Sequence, residues 1–237
     1  MSVAYPNLPV TFVGFVPGIT TPGGVTHQSI NDVGIMRTVP NMAIFDVGDA
    51  TDIEGVLDLV YEWNGPAYIR MLRKEVPRLF PANEPMVFNR ARTITEGDDV
   101  LILSSSICTE EAMRATAALE DKGVSVQHMH VSTLKPFTDP TIVEALKKCK
   151  YGVVTMENHY NIGGLGSAVA DLMAENGIGK KLIKIGLNGY AHGASKMYLM
   201  TKYGMNLVKS VEELIGKDLG IKEDDLDNQR FVDFLEV

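Results

Sequence analysis

Apolar residues fall along this chain in short runs that alternate with stretches where they recur every three or four positions. Buried strands and amphipathic helices leave that pattern when they follow one another. Residues 8–15 read as a parallel strand, apolar on both faces and therefore buried. Ile30, Val33, Ile35, Met36 and Val39 have helical spacing, Pro40-Asn41 closes that helix, and Ser29 is placed to cap its start. Residues 42–47 form a second strand. Ile53, Val56, Leu57, Val60 and Tyr61 mark a second helix, with Asp49 and Thr51 as alternative N-caps. Residues 67–73 are a third strand, ending in the cations Arg70 and Arg73. Strand, helix, strand, helix, strand in this order predicts a parallel sheet.

From Lys74 to Gly97 the periodicity fades, and Pro77, Pro81 and Pro85 punctuate the chain as they do in a linker. A second alternating unit follows. It has a strand at 98–103, a helix opened by Thr109-Glu110-Glu111, and a strand at 124–131. A helix capped by Asp139-Pro140, a strand at 151–156 and a helix after the glycines of 163–167 come next. A strand at 182–187 and a helix carrying Leu207, Val208, Val211, Leu214 and Ile215 complete it. The expected fold is α/β: a partial parallel-sheet unit over 1–80, a linker over 81–97, and a doubly wound unit over 98–220. An acidic tail spans 221–237, where Phe231, Phe234 and Leu235 either form a short docking helix or stay solvated.

Composition narrows the function. A net charge of -8 opposes binding to a nucleic-acid backbone. No apolar run approaches the roughly 20 residues of a membrane span. The first residues have neither the basic nor the apolar part of a secretory signal. Cys108 and Cys149 lack the spacing of a metal site or a disulfide framework, so the chain reads as reduced and cytoplasmic, with no bound metal of its own. The 12 methionines read as gap-fillers in cores or interfaces.

Candidate chemistry concentrates at residues 18–29, a Gly/Pro/Thr loop between the first strand and helix that presents His27 flanked by Thr26 and Gln28. Such loops carry ligand chemistry in open α/β sheets, although an ordinary turn with an exposed histidine would look the same. Arg70 and Arg73 read either as a phosphate clamp or as ion-pair partners. Gly163-Gly164-Leu165-Gly166-Ser167 reads as an anion site at a helix start or as tight packing, without the dinucleotide register. His128 and His130 share a strand face as metal chelators or as satisfied structural histidines. Glu157 and His159 are expected on opposite faces of their strand, a poor acid–base pair. His192 sits in a loop without a visible partner.

Four motifs in order carry a family resemblance: Gly24-Val25-Thr26-His27-Gln28; Met36-Arg37-Thr38-Val39-Pro40-Asn41-Met42; Gly65-Pro66-Ala67-Tyr68-Ile69-Arg70 with Arg73; and Glu157-Asn158-His159 followed by Gly163-Gly164-Leu165-Gly166-Ser167-Ala168-Val169. From about Tyr5 to residue 215 the chain resembles the C-terminal part of a thiamine-diphosphate transketolase, especially the C-terminal subunit of split bacterial and archaeal forms. The resemblance implies the latter part of a pyrimidine-binding domain, then a transketolase C-terminal domain used mainly for assembly. It implies a transferase moving a two-carbon ketol group between sugar phosphates or related sugars. Thiamine diphosphate and Mg would be shared with an N-terminal pyrophosphate-domain subunit, in a homodimer or heterotetramer.

By the same resemblance, His27 is the catalytic residue assisting proton transfers at the sugar. Arg73 binds its phosphate, and Thr26, Gln28, Gly23 and Gly24 line the substrate. Three departures stand out. Gly23 replaces a family Asp, and Phe15 replaces a substrate-phosphate His. The family Glu that contacts the aminopyrimidine lies upstream of anything matched here, so no cofactor-binding residue is assigned and the isolated chain is expected to be inactive. A 1-deoxyxylulose-phosphate-synthase-like or 2-oxo-acid dehydrogenase β-like component, and a non-catalytic assembly module, remain as alternatives.

Overall fold

The protein was analysed as a computed structural model that describes residues 2–72 and 75–227. Its elements run β1 (Thr11–Phe15), α1 (Asp32–Arg37), β2 (Ala43–Asp46), α2 (Ala50–Glu62), β3 (Ala67–Met71), β4 (Arg92–Thr95), β5 (Val100–Ser104) and α3 (Cys108–Asp121). They continue through β6 (Val126–His130), β7 (Thr133–Lys135), α4 (Pro140–Lys148), β8 (Gly152–Tyr160), α5 (Leu165–Glu175), β9 (Leu182–Leu187), α6 (Lys196–Lys202) and α7 (Leu207–Ile215).

Two sheets result, and the α/β expectation holds. The first has four strands in the order β1-β3-β2-β7, with β1, β3 and β2 parallel and β7 antiparallel to β2. The second has the order β4-β6-β5-β8-β9, parallel apart from β4. Residues 133–135, to which the sequence pattern assigns no element, cross over and extend the first sheet. Residues 81–97 contain β4, an edge strand of the second sheet.

Just before it, Leu79 and Phe80 are buried, and both backbone N–H groups donate to the Asp49 carboxylate, at 2.7 and 3.0 Å. Asp49 also caps α2 through Asp52 N, which leaves Thr51 free to donate to the Phe80 carbonyl. The prolines around this stretch break regular structure, yet Leu79 and Phe80 themselves are packed as core residues while their neighbours stay largely exposed.

β1 corrects the sequence reading most. It pairs only with β3, and Phe12, Val13 and Phe15 lie open, Phe15 at 55%. An apolar strand is buried only when both faces and both edges find neighbours, and one edge of β1 has none among the described residues. α1 also starts later than expected: Asn31 is its N-cap and Ser29 does not cap it.

The second sheet shares its core with the first. Ile19, Ile30 and Leu72 pack into one apolar cluster with Val100, Ile102, Met156 and Val211. In the tail, the short 3-10 helix Glu223–Leu226 packs Leu226 against that cluster, and Arg114 of α3 pairs with Asp227. Phe231, Phe234 and Leu235 lie outside the described residues.

Candidate active site

The carboxyl ends of the parallel strands of both sheets meet at a buried polar joint. At its centre is Arg70 on β3, fully buried. Its Nε donates to Asp32 at 2.9 Å and its Nη1 to Asp46 at 3.4 Å. Its Nη2 donates to the carbonyls of Ser29 (3.0 Å) and Asn158 (2.8 Å). Tyr68 Oη donates to Asp32 at 2.7 Å, and Ser105, just past β5, donates to Asp46 at 2.8 Å.

Burial pushes the Asp46 carboxyl up despite the guanidinium beside it. Burial pushes the same way at Asp32, but Arg70 and Tyr68 outweigh it and leave that carboxyl low. All of Arg70's contacts are thus internal. It is the ion-pair alternative, and no phosphate clamp.

Above this joint, the loop after β1 closes on itself. Gly18 N donates to Ser29 O at 2.6 Å, and Pro17 bridges Ser29 in parallel. At its exposed crest, Val25–His27 makes a single 3-10 turn. Thr26 Oγ1 lies 2.9 Å from His27 Nδ1. A hydroxyl can donate to that nitrogen, leaving Nε2–H facing outward as a donor. It can equally accept from Nδ1–H, leaving Nε2 as a base. The pair therefore suits an imidazole that both gives and takes a proton at one external atom.

Gly23 lies under the ring, and a Cβ there would stand 2.9 Å from that of His27. The Asp expected in the family could not occupy this backbone without moving His27. Gly24 has φ 71, which favours glycine, and abuts Gly193.

Gln28 is placed differently from Thr26 and His27. It is buried, its Nε2 donates to Thr21 O at 3.2 Å, and it braces the loop from inside. Its Oε1 has no hydrogen-bond partner among the described residues. Arg73 lies outside the described residues, while its neighbours Leu72 and Glu75 line a cavity of about 230 Å³ together with Thr20, Gly48, Ile107 and Lys196.

The other sequence candidates resolve into structure. The glycine-rich turn does bind an anion, but the anion is the chain's own: Glu157 accepts from Leu165 N (2.7 Å) and Gly166 N (2.8 Å) at the start of α5. Burial pushes its carboxyl up to about 7 even so.

Glu157 and His159 share a face of β8, with Nδ1 3.8 Å from Oε2. The opposite-face expectation was wrong because positions two apart on a strand point the same way. His159 Nδ1 donates to Tyr160 O at 2.7 Å, and Nε2 accepts from Gly34 N at 3.3 Å. Both nitrogens are thus used, and burial holds the ring down to about 4, neutral in the working range.

His128 and His130 belong to one buried hydroxyl chain. Asp52 lies 2.7 Å from His130 Nε2, and Thr109 2.7 Å from its Nδ1. Ser104 then lies 2.9 Å from Thr109 and 2.8 Å from His128 Nε2. His192 is exposed on the loop after β9.

Among the described residues no three His, Cys, Asp or Glu side chains converge as a metal set, and no helix is long and apolar enough to cross a membrane. Sequence reasoning missed Asn158 as a joint residue. The available signal was a buried-strand run, residues 152–160, whose amide and carboxylate had no reason to be inside unless partnered.

Comparison with known proteins bears on the family and the fold. Residues 1–78 match the model of the transketolase pyrimidine binding domain, and residues 89–206 that of the transketolase C-terminal domain. A Methanocaldococcus jannaschii protein named as a transketolase C-terminal section is 34% identical over 91% of this chain and 69% of its own length. The 6-deoxy-6-sulfo-D-fructose transketolase subunit SqwH of Clostridium sp. strain MSTE9 is 38% identical over 74% of this chain and 55% of its own. A solved structure titled split gene transketolase, inactive beta4 tetramer, superposes with a TM-score of 0.82 at 33% identity, covering 94% of this chain and 71% of that one. With both domain models in order on one chain, and the same fold at one-third identity, this protein belongs to the transketolase family.

Proposed function

We propose that this chain works as the C-terminal subunit of a split, thiamine-diphosphate-dependent transketolase, a transferase that moves a two-carbon ketol group between sugar phosphates or related sugars. The observation that carries the reading is His27, exposed on a closed loop with the Thr26 hydroxyl at its Nδ1. Facing the substrate, such a ring donates a proton to, or accepts one from, the sugar oxygen that gains or loses charge, while the neck of the loop, where Pro17 and Gly18 pair with Ser29, keeps its position. Imidazole suits both roles near neutral pH.

Arg73 would hold the phosphate of a phosphorylated substrate, and remote binding of that kind orients the reacting carbons. Thr26, Gly23 and Gly24 shape the approach, and Gln28 supports it from within. A thiamine cofactor, when bound, supplies the carbanion chemistry. The described side chains offer no metal ligand set, and the family's aminopyrimidine-contacting Glu is not matched here. In this reading the diphosphate, its Mg and the remaining pyrimidine contacts belong to a pyrophosphate-domain partner subunit. The open apolar face of β1 fits contact with such a subunit. A dimer or heterotetramer assembled through the C-terminal domains, in the cytoplasm, completes the reading.

The test is reconstitution with thiamine diphosphate, Mg, a ketose donor and an aldose acceptor. Ketol transfer should require the pyrophosphate-domain subunit. Transfer by the purified chain alone, or consumption of a 2-oxo acid in place of the ketose, would overturn it.

A further inference from the structure

Building on the reading of His27 as the substrate-facing group, we propose that Asn158 is a positioning residue for it. Through Asn158 the C-terminal domain, and not only the pyrimidine-binding domain, sets where the His27 loop stands.

Asn158 sits on β8 of the second sheet, fully buried, 139 residues from the loop it holds. Its Oδ1 accepts from Ile19 N at 2.9 Å, and its Nδ2 donates to Pro17 O at 3.0 Å. The side-chain amide thus grips the loop on both sides of Gly18, pairing as another peptide would. Its own carbonyl takes the Arg70 Nη2 that also holds Ser29 O, so both strands of the neck are tied to one residue.

The fit is close. Gly18 has φ 54, and a Cβ there would stand 2.0 Å from Asn158 Oδ1. Ile19, next along the loop, is itself plugged into the apolar cluster of the second sheet. Farther out, the loop tip meets the C-terminal domain again: a Cβ on Gly193 would stand 2.4 Å from Pro22 O.

Only an amide satisfies both backbone groups. Aspartate would keep the acceptor for Ile19 N but set an oxygen against the Pro17 carbonyl. Alanine would leave the buried Ile19 N–H unpaired and release Pro17 O from the second sheet, with only the loop's own Thr20 still donating to it. Looseness at residues 17–19 passes along a short closed loop to His27. Misplacing a catalytic group by about an ångström costs on the order of 100-fold in rate.

The experiment is a double-mutant cycle on the complex reconstituted with the pyrophosphate-domain subunit, using Asn158→Ala, His27→Ala and the pair, with kcat and KM measured separately. Asn158→Ala should lower kcat by about 10- to 100-fold with KM for the donor changed less than threefold. In the His27→Ala background it should cost less than threefold, because there is no longer a ring to position. Amide hydrogen exchange should quicken at Gly18, Ile19 and Ser29 and stay unchanged in β5. If Asn158→Ala does not fold, Gly193→Ala, which pushes on the exposed tip, takes its place in the cycle.

An equal loss in both backgrounds, or a kcat within twofold of wild type, overturns the positioning role. An unchanged rate in His27→Ala alone overturns the functional reading beneath it. The two failures are therefore distinct.

Discussion

Replacing Arg70 by Met removes a guanidinium that makes four buried hydrogen bonds and leaves a side chain of similar length. Two carboxylates depend on it, Asp32 at 2.9 Å and Asp46 at 3.4 Å, and so do the carbonyls of Ser29 and Asn158. The ion cluster itself contributes little, because taking these charges out of water offsets most of their attraction. Removing one partner is another matter, since both carboxylates then stay buried without a counter-charge. Breaking a buried pair in this way costs about 3–5 kcal/mol, against a total stability on the order of 5–15 kcal/mol for a folded protein.

Urea unfolding followed by circular dichroism should therefore show Arg70→Met losing about 4 kcal/mol. Arg70→Lys should recover only part of that, because a point charge cannot reach four acceptors as a planar fork does. The decisive comparison is the triple variant Arg70→Met with Asp32→Asn and Asp46→Asn. Neutralising the stranded carboxylates should return most of the lost stability. A single variant that loses less than about 1 kcal/mol, or a triple variant no more stable than the single, would refute the reasoning about desolvated charge.

Two further outcomes follow from the joint and its surroundings. Gly164→Ala places a Cβ 1.8 Å from Glu157 Oε2 and should expel that carboxylate from the α5 N-terminus, at about 3 kcal/mol in urea titration. Gly177→Ala, strained at φ 64 but in open space, should cost only about 1 kcal/mol, and equal losses would contradict the Glu157 contact. Stability should also fall on acidification. His128 and His159, held by burial to about 3 and about 4, take up protons in the unfolded chain near 6.5, so the stability they contribute is present above that pH and is lost below it. Glu157, raised by burial to about 7, works the other way between 4.5 and 7. These three groups sum to one proton, about 1.4 kcal/mol per pH unit between pH 6.5 and 4.5; Asp46, also raised by burial, draws against it, so that figure is the upper bound and a profile of urea midpoints that rises on acidification would contradict these environments.

The elements whose apolar spacing is regular were readable in advance. α7 and β9 lie where periodicity predicts, because one face of each meets a core and local pattern reports burial. β1 misled because its run of apolar residues is identical whether or not a neighbour covers it. β7 was invisible because three residues are too few for a pattern, and their pairing with β2 is set by the meeting of the two sheets.

At the site, His27 and its Thr neighbour stood out as loop chemistry. Asp46 and Arg70 could have been recognised as buried partners, since each is a charge inside an apolar strand run and such a charge needs a counterpart. Asn158 could not have been paired with residue 19, because nothing local links positions 139 apart. The glycines of residues 163–166 show the same limit. An external anion was one of two readings for them, beside tight packing, and that the acceptor is the chain's own Glu157 depended on the tertiary fold.

The most direct test of the proposed function is the turnover of His27→Ala in the complex reconstituted with its pyrophosphate-domain subunit, thiamine diphosphate and Mg, at matched assembly. If His27 mediates proton transfer at the sugar, ketol transfer should fall by about 10²–10⁴-fold while the complex assembles normally. Wild-type turnover by the variant, with or without altered assembly, would contradict the catalytic role and leave the chain an assembly module.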